Sequence, residues 1–383
     1  MSEYWLVSLP GDPRPTDTWK KIQTATSLHN ELSVNSKFEI PELKVGTLDT
    51  LVALSDELAK HDVFAESVTR KVAQCMSDIL DAGKKDKVTD NLKINNQSIS
   101  QYLSKFQWET SRFPIRQSPK ALAEMIVKQL SQIEGDLKTK STAYSTAKAN
   151  LLSIERRQTG TILTRSLNDI VKKEHMVVDS EYLSTVLVVV PRALYRDWEQ
   201  KYETLSDMVV PRSSKLIYED AEYGLYSVTL FKKVVDEYKL HARENKFTVR
   251  EFVFDEASIN AERQELTRLE SDVKRQYPGL VRWLKANFGE AFAQWMHIKA
   301  LRVFVESVLR YGLPVNFQAL VMKPQKKSQK KLRETLEQMY GGGDIKEDKD
   351  LKAELVEIPG LMVGQQEYYP YVYFPIGVDL LEH

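Results

Sequence analysis

Two stretches of this chain, Lys120–Gln158 and Ala257–Tyr277, repeat their apolar residues on a heptad grid. In the first, Ile126, Leu130, Ile133, Leu137, Tyr144, Ala147, Leu151 and Ile154 follow one another on that grid. In the second, Ile259, Leu266, Leu269 and Val273 do the same, and Leu280 continues the series just beyond it. Most other positions are Lys, Arg, Glu, Gln, Ser or Thr. An apolar seam on an otherwise polar helix is buried by a second helix of the same kind, as in a coiled coil. Neither stretch contains proline, and Gly135 is their only glycine, so nothing local interrupts either helix. The intervening chain reads quite differently. The simplest topology is a domain inserted between two antiparallel helices. The expected fold class is α+β and elongated. A discontinuous foot takes residues 1–119 and 281–383, neck helices take 120–160 and 257–280, and an inserted α+β head takes 161–256. A chain of that form is suited to spanning a distance rather than enclosing a reaction.

The 383 residues leave room for two or three domains of about 100–200 residues each. The 54 basic residues balance 54 acidic ones, which argues against a general nucleic-acid binder, since that would carry a basic excess. The single cysteine, Cys75, excludes an internal disulfide and points to a reducing compartment. Met1-Ser2-Glu3-Tyr4-Trp5 lacks the basic lead and apolar core of a secretory signal. The strongest apolar run, near Tyr182–Pro191, is far shorter than the about 20 residues of a membrane helix. The chain therefore reads as cytosolic, with any membrane association made through partners.

Tyr4–Leu9 ends at Pro10-Gly11 and reads as a strand and turn, followed by a helix over Trp19–His29. A second short strand is expected at Phe38–Ile40. Thr47 is placed to cap a helix carrying Leu48, Leu51, Val52 and Leu54, and a separate amphipathic helix is expected over Phe64–Leu80. In the middle section, the β-branched run Val186, Val188, Val189, Val190 predicts a buried strand within Glu181–Val190. Helices follow Pro191 and Phe231. Strands are expected at Ser213–Tyr218, Tyr226–Leu230 and Phe247–Phe254, giving a small mixed domain. Trp283–Tyr311 is apolar around much of a helix circumference and predicts a helix buried on several sides. Val315–Met322 reads as a strand, Leu332–Met339 as a helix, Gly341–Lys352 as a loop. The aromatic tail Tyr368–Ile376 reads as a strand able to pair with Tyr4–Leu9.

Motifs for chemistry are missing. Gly83-Lys84 lacks the other residues of a phosphate loop. The six histidines are scattered and none has the spacing of a zinc helix. His297, among Met296, Ile298 and Leu301, reads as a core histidine. No serine-hydrolase elbow occurs. Catalytic, cofactor and metal residues are accordingly expected to be absent. The basic run Lys323–Arg333 is the one candidate site. Lys326, Lys327, Lys330 and Lys331 form either a solvated helix start or a docking patch for an acidic partner, filament or lipid headgroup. Tyr368, Tyr369, Tyr371 and Tyr373 offer either interface anchors or residues divided between core and solvent.

Several segments carry a family resemblance. Leu43–Asp49, Leu54–Leu58, Phe106-Gln107-Trp108, Met208–Ser214, Val281–Lys285, Lys299–Phe317 and Gln366–Val372 are similar, in the same order, to the C subunit of the eukaryotic V-type proton ATPase. Gly341–Ala353 matches no shared motif. The resemblance implies a non-catalytic stator subunit of a rotary proton pump with head, neck and foot. It implies contacts with peripheral stalks, each an E–G heterodimer, and with the cytosolic domain of the pump's a subunit. Reversible assembly, proton transport and organelle acidification belong to the same implication, as does actin binding in some members. The expected place is the cytosol and the cytosolic face of acidified organelle membranes or the plasma membrane. One copy per complex is expected, without homo-oligomers and without nucleic acid. A generic coiled-coil scaffold or actin-binding protein is the alternative. A helix rises about 1.5 Å per residue, so the seam from Ile126 to Ile154 would cover roughly 40 Å.

Overall fold

The computed structural model describes residues 3–80, 91–341 and 369–381. In chain order, the elements begin with β1 (Glu3–Pro10), α1 (Pro15–Gln23) and a π-helical turn at Thr24–Leu28. They continue with β2 (Ser33–Lys37), α2 (Leu48–Ile79), β3 (Lys93–Ile94), β4 (Gln97–Ser98), α3 (Ile99–Ser104) and α4 (Pro119–Thr159). Next come β5 (Leu183–Pro191), α5 (Tyr195–Lys201), β6 (Lys215–Glu219), β7 (Tyr223–Phe231), α6 (Val235–Glu244) and β8 (Thr248–Arg250). The series ends with α7 (Glu256–Tyr311), β9 (Phe317–Pro324), α8 (Gln329–Tyr340) and β10 (Val372–Gly377). The chain divides into two compact units, Met1–Ser141 with Gly279–His383, and Thr142–Pro278.

In the first unit an antiparallel sheet has the order β10-β1-β9-β2. The two ends of the chain meet in it, with Tyr4 opposite Ile376 and Leu6 opposite Phe374, as the sequence predicted. β1 is central and buried along almost its whole length, because both of its faces are covered. Trp5, Val7 and Leu9 pack with Ile22 of α1 and with Leu332 and Leu336 of α8. On the opposite face, the Ser307 hydroxyl of α7 donates to Ser8 Oγ at 2.7 Å, and Tyr311 Oη donates to the Ser8 carbonyl at 2.6 Å. Every residue from Ala291 to Leu301 is buried, which fits the all-round apolar pattern of this part of α7.

Two expected pairs of helices are single helices. The Thr47-capped helix and Phe64–Leu80 merge into α2. Its buried stripe runs Leu51, Leu54, Leu58, Asp62, Ala65, Val68, Val72 and Met76. Asp62 occupies a core position, so it breaks the apolar pattern of the sequence without ending the helix. Its Oδ2 lies 2.9 Å from Lys299 Nζ and 2.7 Å from Arg302 Nη1, and Trp295 Nε1 donates to its Oδ1 at 2.8 Å. Likewise the second neck stretch and Trp283–Tyr311 form one helix, α7, with Pro278 inside it. A proline removes one backbone donor and costs about 3 kcal/mol in a helix interior. Buried Leu280, Leu284 and Phe288 beyond it keep the apolar seam going.

Within the first unit α4 and α7 run antiparallel. Gln294 Nε2 donates to Gln129 Oε1 at 2.9 Å, and further along α4 Lys140 lies over the Trp283 ring at 5.9 Å. Ile126, Leu130, Ile133 and Leu137 are all buried, so the heptad seam of α4 is the packed one. Within the second unit, Tyr144 and Tyr277 face each other with centroids 6.3 Å apart. Ile259 is buried there, while Leu151, Ile154, Leu266, Leu269 and Val273 are half-buried.

The second unit holds a sheet of order β6-β7-β5-β8. It contains a repeat that the sequence does not announce. Strand, 3-10 turn and helix begin at Leu183, Arg192 and Tyr195, and again, at a constant offset, at Tyr223, Lys232 and Val235. Leu183 pairs with Phe231 and Pro191 with Tyr223, centred on Leu187 opposite Ser227, so a local two-fold relates the two copies. β6 follows α5 yet pairs with β7, and β8 follows α6 yet pairs with β5. Val186, Val188 and Val190 join Trp198, Tyr202, Tyr226, Val228, Tyr238 and Phe247 on one face. Leu187, Val189 and Leu225 meet Ile162, Leu167 and Val171 on the other. Covering both faces explains why the β5 run is continuously apolar.

Smaller differences have local causes. The strand expected at Phe38–Ile40 lies earlier, at β2. Phe38 itself is buried and stacks on Phe106 at 4.0 Å, and Glu39 makes only an isolated bridge to Gln107. Phe247–Phe254 keeps only β8 as strand, because β5 offers it a partner over Leu187–Val189 alone. Arg250 then turns to the chain, donating to the Ile162 carbonyl at 2.6 Å and that of Arg165 at 3.1 Å. Gly83-Lys84, Tyr368 and most of the Gly341–Lys352 loop lie outside the described residues.

The buried pairing of α2 with α7 gives a stability test. Burial lowers the pKa of Lys299, and Asp62 opposes that effect. Asp62→Ala strands two cations beneath the sheet and is expected to cost about 3–5 kcal/mol in urea denaturation. Asp62→Leu combined with Lys299→Met should recover the part of that loss due to Lys299, leaving only the less buried Arg302 without its carboxylate. Equal destabilisation by the single and double variants would contradict it.

Candidate interaction surface

α8 begins where β9 ends, separated by a short turn through Gln325 and Ser328. Leu332 and Leu336 anchor it to the sheet, which leaves its opposite face in solvent. Lys326, Lys327, Lys330 and Lys331 are all exposed. Among the described residues none of them makes an ion pair, in contrast to many other surface lysines here such as Lys71 and Lys239. The helix has no acidic residue in its first turn and no side-chain cap. Four cations at the positive end of a helix dipole are unfavourable by a few tenths of a kcal/mol each.

The structure separates these four from the ends of the basic run. Lys323 lies over the Tyr4 ring at 5.5 Å. Arg333 is enclosed by aromatic rings, 5.1 Å from Trp5, 5.1 Å from Tyr369 and 5.4 Å from Tyr373, and it donates to the Tyr369 hydroxyl. Tyr369 and Tyr373 also face each other at 5.1 Å. The described tail tyrosines therefore line one inner face around Arg333. They share parity in sequence, so strand alternation puts them on the same side. Burial pushes the Tyr371 and Tyr373 hydroxyls above the ordinary phenol range. They belong to the core rather than to an open interface.

His297 is where the sequence placed it, in the core. Its Nδ1–H donates to the Ala293 carbonyl at 2.7 Å, and its Nε2 accepts from the Glu109 amide at 3.1 Å. Phe106, Trp108 and Phe113 ring it at 4.8–5.3 Å. Burial lowers its pKa to about 4, so the neutral ring is held. Trp108 Nε1 in turn donates to the Phe113 carbonyl at 2.8 Å. The Met208–Ser214 motif has a comparable structural use in the second unit. Trp198 Nε1 donates to Ser214 Oγ at 3.0 Å, and Val209 bridges to Leu230. Arg112 forms a forked pair with Glu290, another polar tie that spacing alone did not reveal.

Among the described residues no group of three or more His, Cys, Asp or Glu could hold a metal ion. No described helix is long and apolar enough to cross a membrane. Cys75 is half-buried, and burial raises its thiol pKa. The four free lysines are the sharpest chemical feature in this part of the surface.

The family model for the V-ATPase C subunit matches residues 4–372. The V-type proton ATPase C subunit 1-A of Danio rerio is 55% identical over 382 residues, covering 100% of both chains. The V-type proton ATPase C subunit of Manduca sexta is 54% identical, covering 100% of this chain and 99% of its own. The V-type proton ATPase C subunit 1 of Mus musculus is 54% identical with 100% coverage of both. The chain belongs to the family of V-ATPase C subunits.

The His297 environment predicts a pH dependence with a definite sign. The unfolded imidazole takes a proton below 6.5, the folded one only near 4, so folding loses this group's contribution as pH falls through that window. Between pH 7 and 5 the unmodified chain should lose about 2 kcal/mol more than His297→Gln. Parallel pH profiles of the denaturation midpoints would disprove it.

Proposed function

We propose that this chain is a non-catalytic stator subunit of a V-type proton-transporting ATPase. It bridges peripheral stalks, each an E–G heterodimer, to the cytosolic domain of the pump's a subunit. It acts from the cytosol and the cytosolic face of acidified organelle or plasma membranes, and membrane contact comes through those partners. The observation that carries the reading is sequence identity above one half, over full length, to chains named as C subunits of this pump.

The physical requirements agree with this role. A stator resists torque while the rotor turns, so its docking surfaces need stiff elements, and long seam-packed helices supply them. It must also be released when the pump disassembles. Two moderate, partly polar contacts are undone more readily than one large apolar interface, while their linkage gives avidity when both are engaged. One copy per pump is part of this reading, supported by the burial of Ile126, Leu130, Ile133 and Leu137 of the α4 seam within the chain.

The direct test uses a V-type pump stripped of its own C subunit. Adding the purified chain should restore ATP-dependent acidification, and crosslinking mass spectrometry should place it against the E, G and a subunits. Acidification unchanged by the added chain would contradict the proposal.

A second reading, actin binding, has its own support in the four exposed lysines at the start of α8. Charge reversal of Lys326, Lys327, Lys330 and Lys331 to Glu should abolish cosedimentation with actin filaments while leaving pump assembly intact. Undiminished cosedimentation by that variant would remove the filament role from this surface.

A further inference from the structure

A different basic site lies between the β3–β4 hairpin and α7. It is a concavity of about 600 Å³ whose lining includes Lys93, Asn95, Asn96, Arg282, Lys285 and Glu290. That volume suits a head-group-sized ligand. Its floor is built by close approach. Gly289 lies so near the hairpin that a Cβ there would meet the Lys93 carbonyl oxygen at 3.0 Å and the Ile94 Cα at 3.3 Å. Arg282, Lys285, Ala286 and Gly289 recur at three- and four-residue intervals, so they share one face of α7. The two small residues leave the space and the two cations border it.

The opposite wall comes from the hairpin. Asn95 and Asn96 both hold positive φ, 48° and 65°, which is the left-handed pair of a tight two-residue turn. Asparagine tolerates that conformation and also carries amide donors and acceptors to the cavity edge. Lys93 stands at the base of the same hairpin. Among the described residues, Lys93, Arg282 and Lys285 make no ion pair. The one lining carboxylate, Glu290, is already paired with Arg112, which is not among the lining residues, and accepts from Gln294 Nε2 at 2.7 Å.

We propose that this concavity binds a small polyphosphorylated anion of the inositol phosphate type. Three cations on two facing walls match several phosphates spread around one scaffold better than a single carboxylate. Arginine and lysine are the usual phosphate partners, the first by its planar fork and the second as a point charge. The asparagine amides supply partners for ring hydroxyls. The same chemistry is offered by a soluble inositol phosphate and by a phosphoinositide head group.

The test is calorimetric titration of the full chain with inositol hexakisphosphate at near-physiological salt, alongside flotation with vesicles containing a phosphoinositide bisphosphate. The expected result is saturable binding of the soluble probe that Lys93→Gln/Arg282→Gln/Lys285→Gln weakens about tenfold or more. Ala286→Glu, on an exposed helix face, should weaken it as well without removing any cation. Reversal of the four α8 lysines should leave it unchanged. Vesicle binding that the soluble probe displaces assigns the site to a lipid head group. Soluble binding without flotation assigns it to the free compound. Absence of binding, binding untouched by the cavity variants, or binding lost with the α8 variant would each overturn the proposal.

Discussion

A carboxylate buried beneath the terminal sheet ties the first unit together. Asp62 on α2 meets Lys299 and Arg302 on α7, and Trp295 completes its hydrogen bonding. Lys299 Nζ also donates to the Pro375 carbonyl of β10 at 3.1 Å, and the Arg302 guanidinium lies 4.3 Å from the Phe374 ring. Helix α2, helix α7 and the last strand are therefore fixed by one set of charges. Such a cluster contributes little net stability compared with an apolar core of equal volume, because desolvation offsets the Coulomb gain. Its value lies in geometry. Sliding α7 by a turn against α2 would leave charges buried without partners, a penalty that apolar packing alone would not impose.

The second unit is organised by strand exchange between two like halves. Each half supplies a strand and a helix, and its last strand completes the sheet of the other half. Both helices then contribute to the same core, where Trp198 and Tyr238 hold equivalent positions of the two halves. The residues of the two halves share little beyond apolar alternation followed by an aromatic on the helix. Nothing in their identities exposes the repeat; the pairing register does.

The candidate surface was half legible. Charge density alone marked Lys326, Lys327, Lys330 and Lys331, because only Ser328 and Gln329 separate them in sequence. Arg333, in the same run, belongs to an aromatic cage formed with β1 and the tail. A guanidinium can serve solvent or a stack of rings, and sequence does not distinguish the two. The tail tyrosines carried a clearer signal in their common parity, which strand geometry converts into a single face. The cavity at Gly289 left no sequence mark at all, since it depends on a hairpin approaching a helix distant along the chain.

The periods could be read from the chain alone: the heptad seam of α4, the burial of the β5 run, and the alternation of the strands at its two ends. These follow from the local spacing of apolar residues, which survives without knowledge of neighbours. The continuity of the elements depends on packing from distant parts of the fold. Asp62 interrupts the apolar pattern of α2, and Pro278 interrupts the backbone donors of α7, yet both helices run on. A buried charge is tolerated when partners arrive from elsewhere in the fold, and a proline when the seam beyond it remains packed. Neither condition is a local property of the chain.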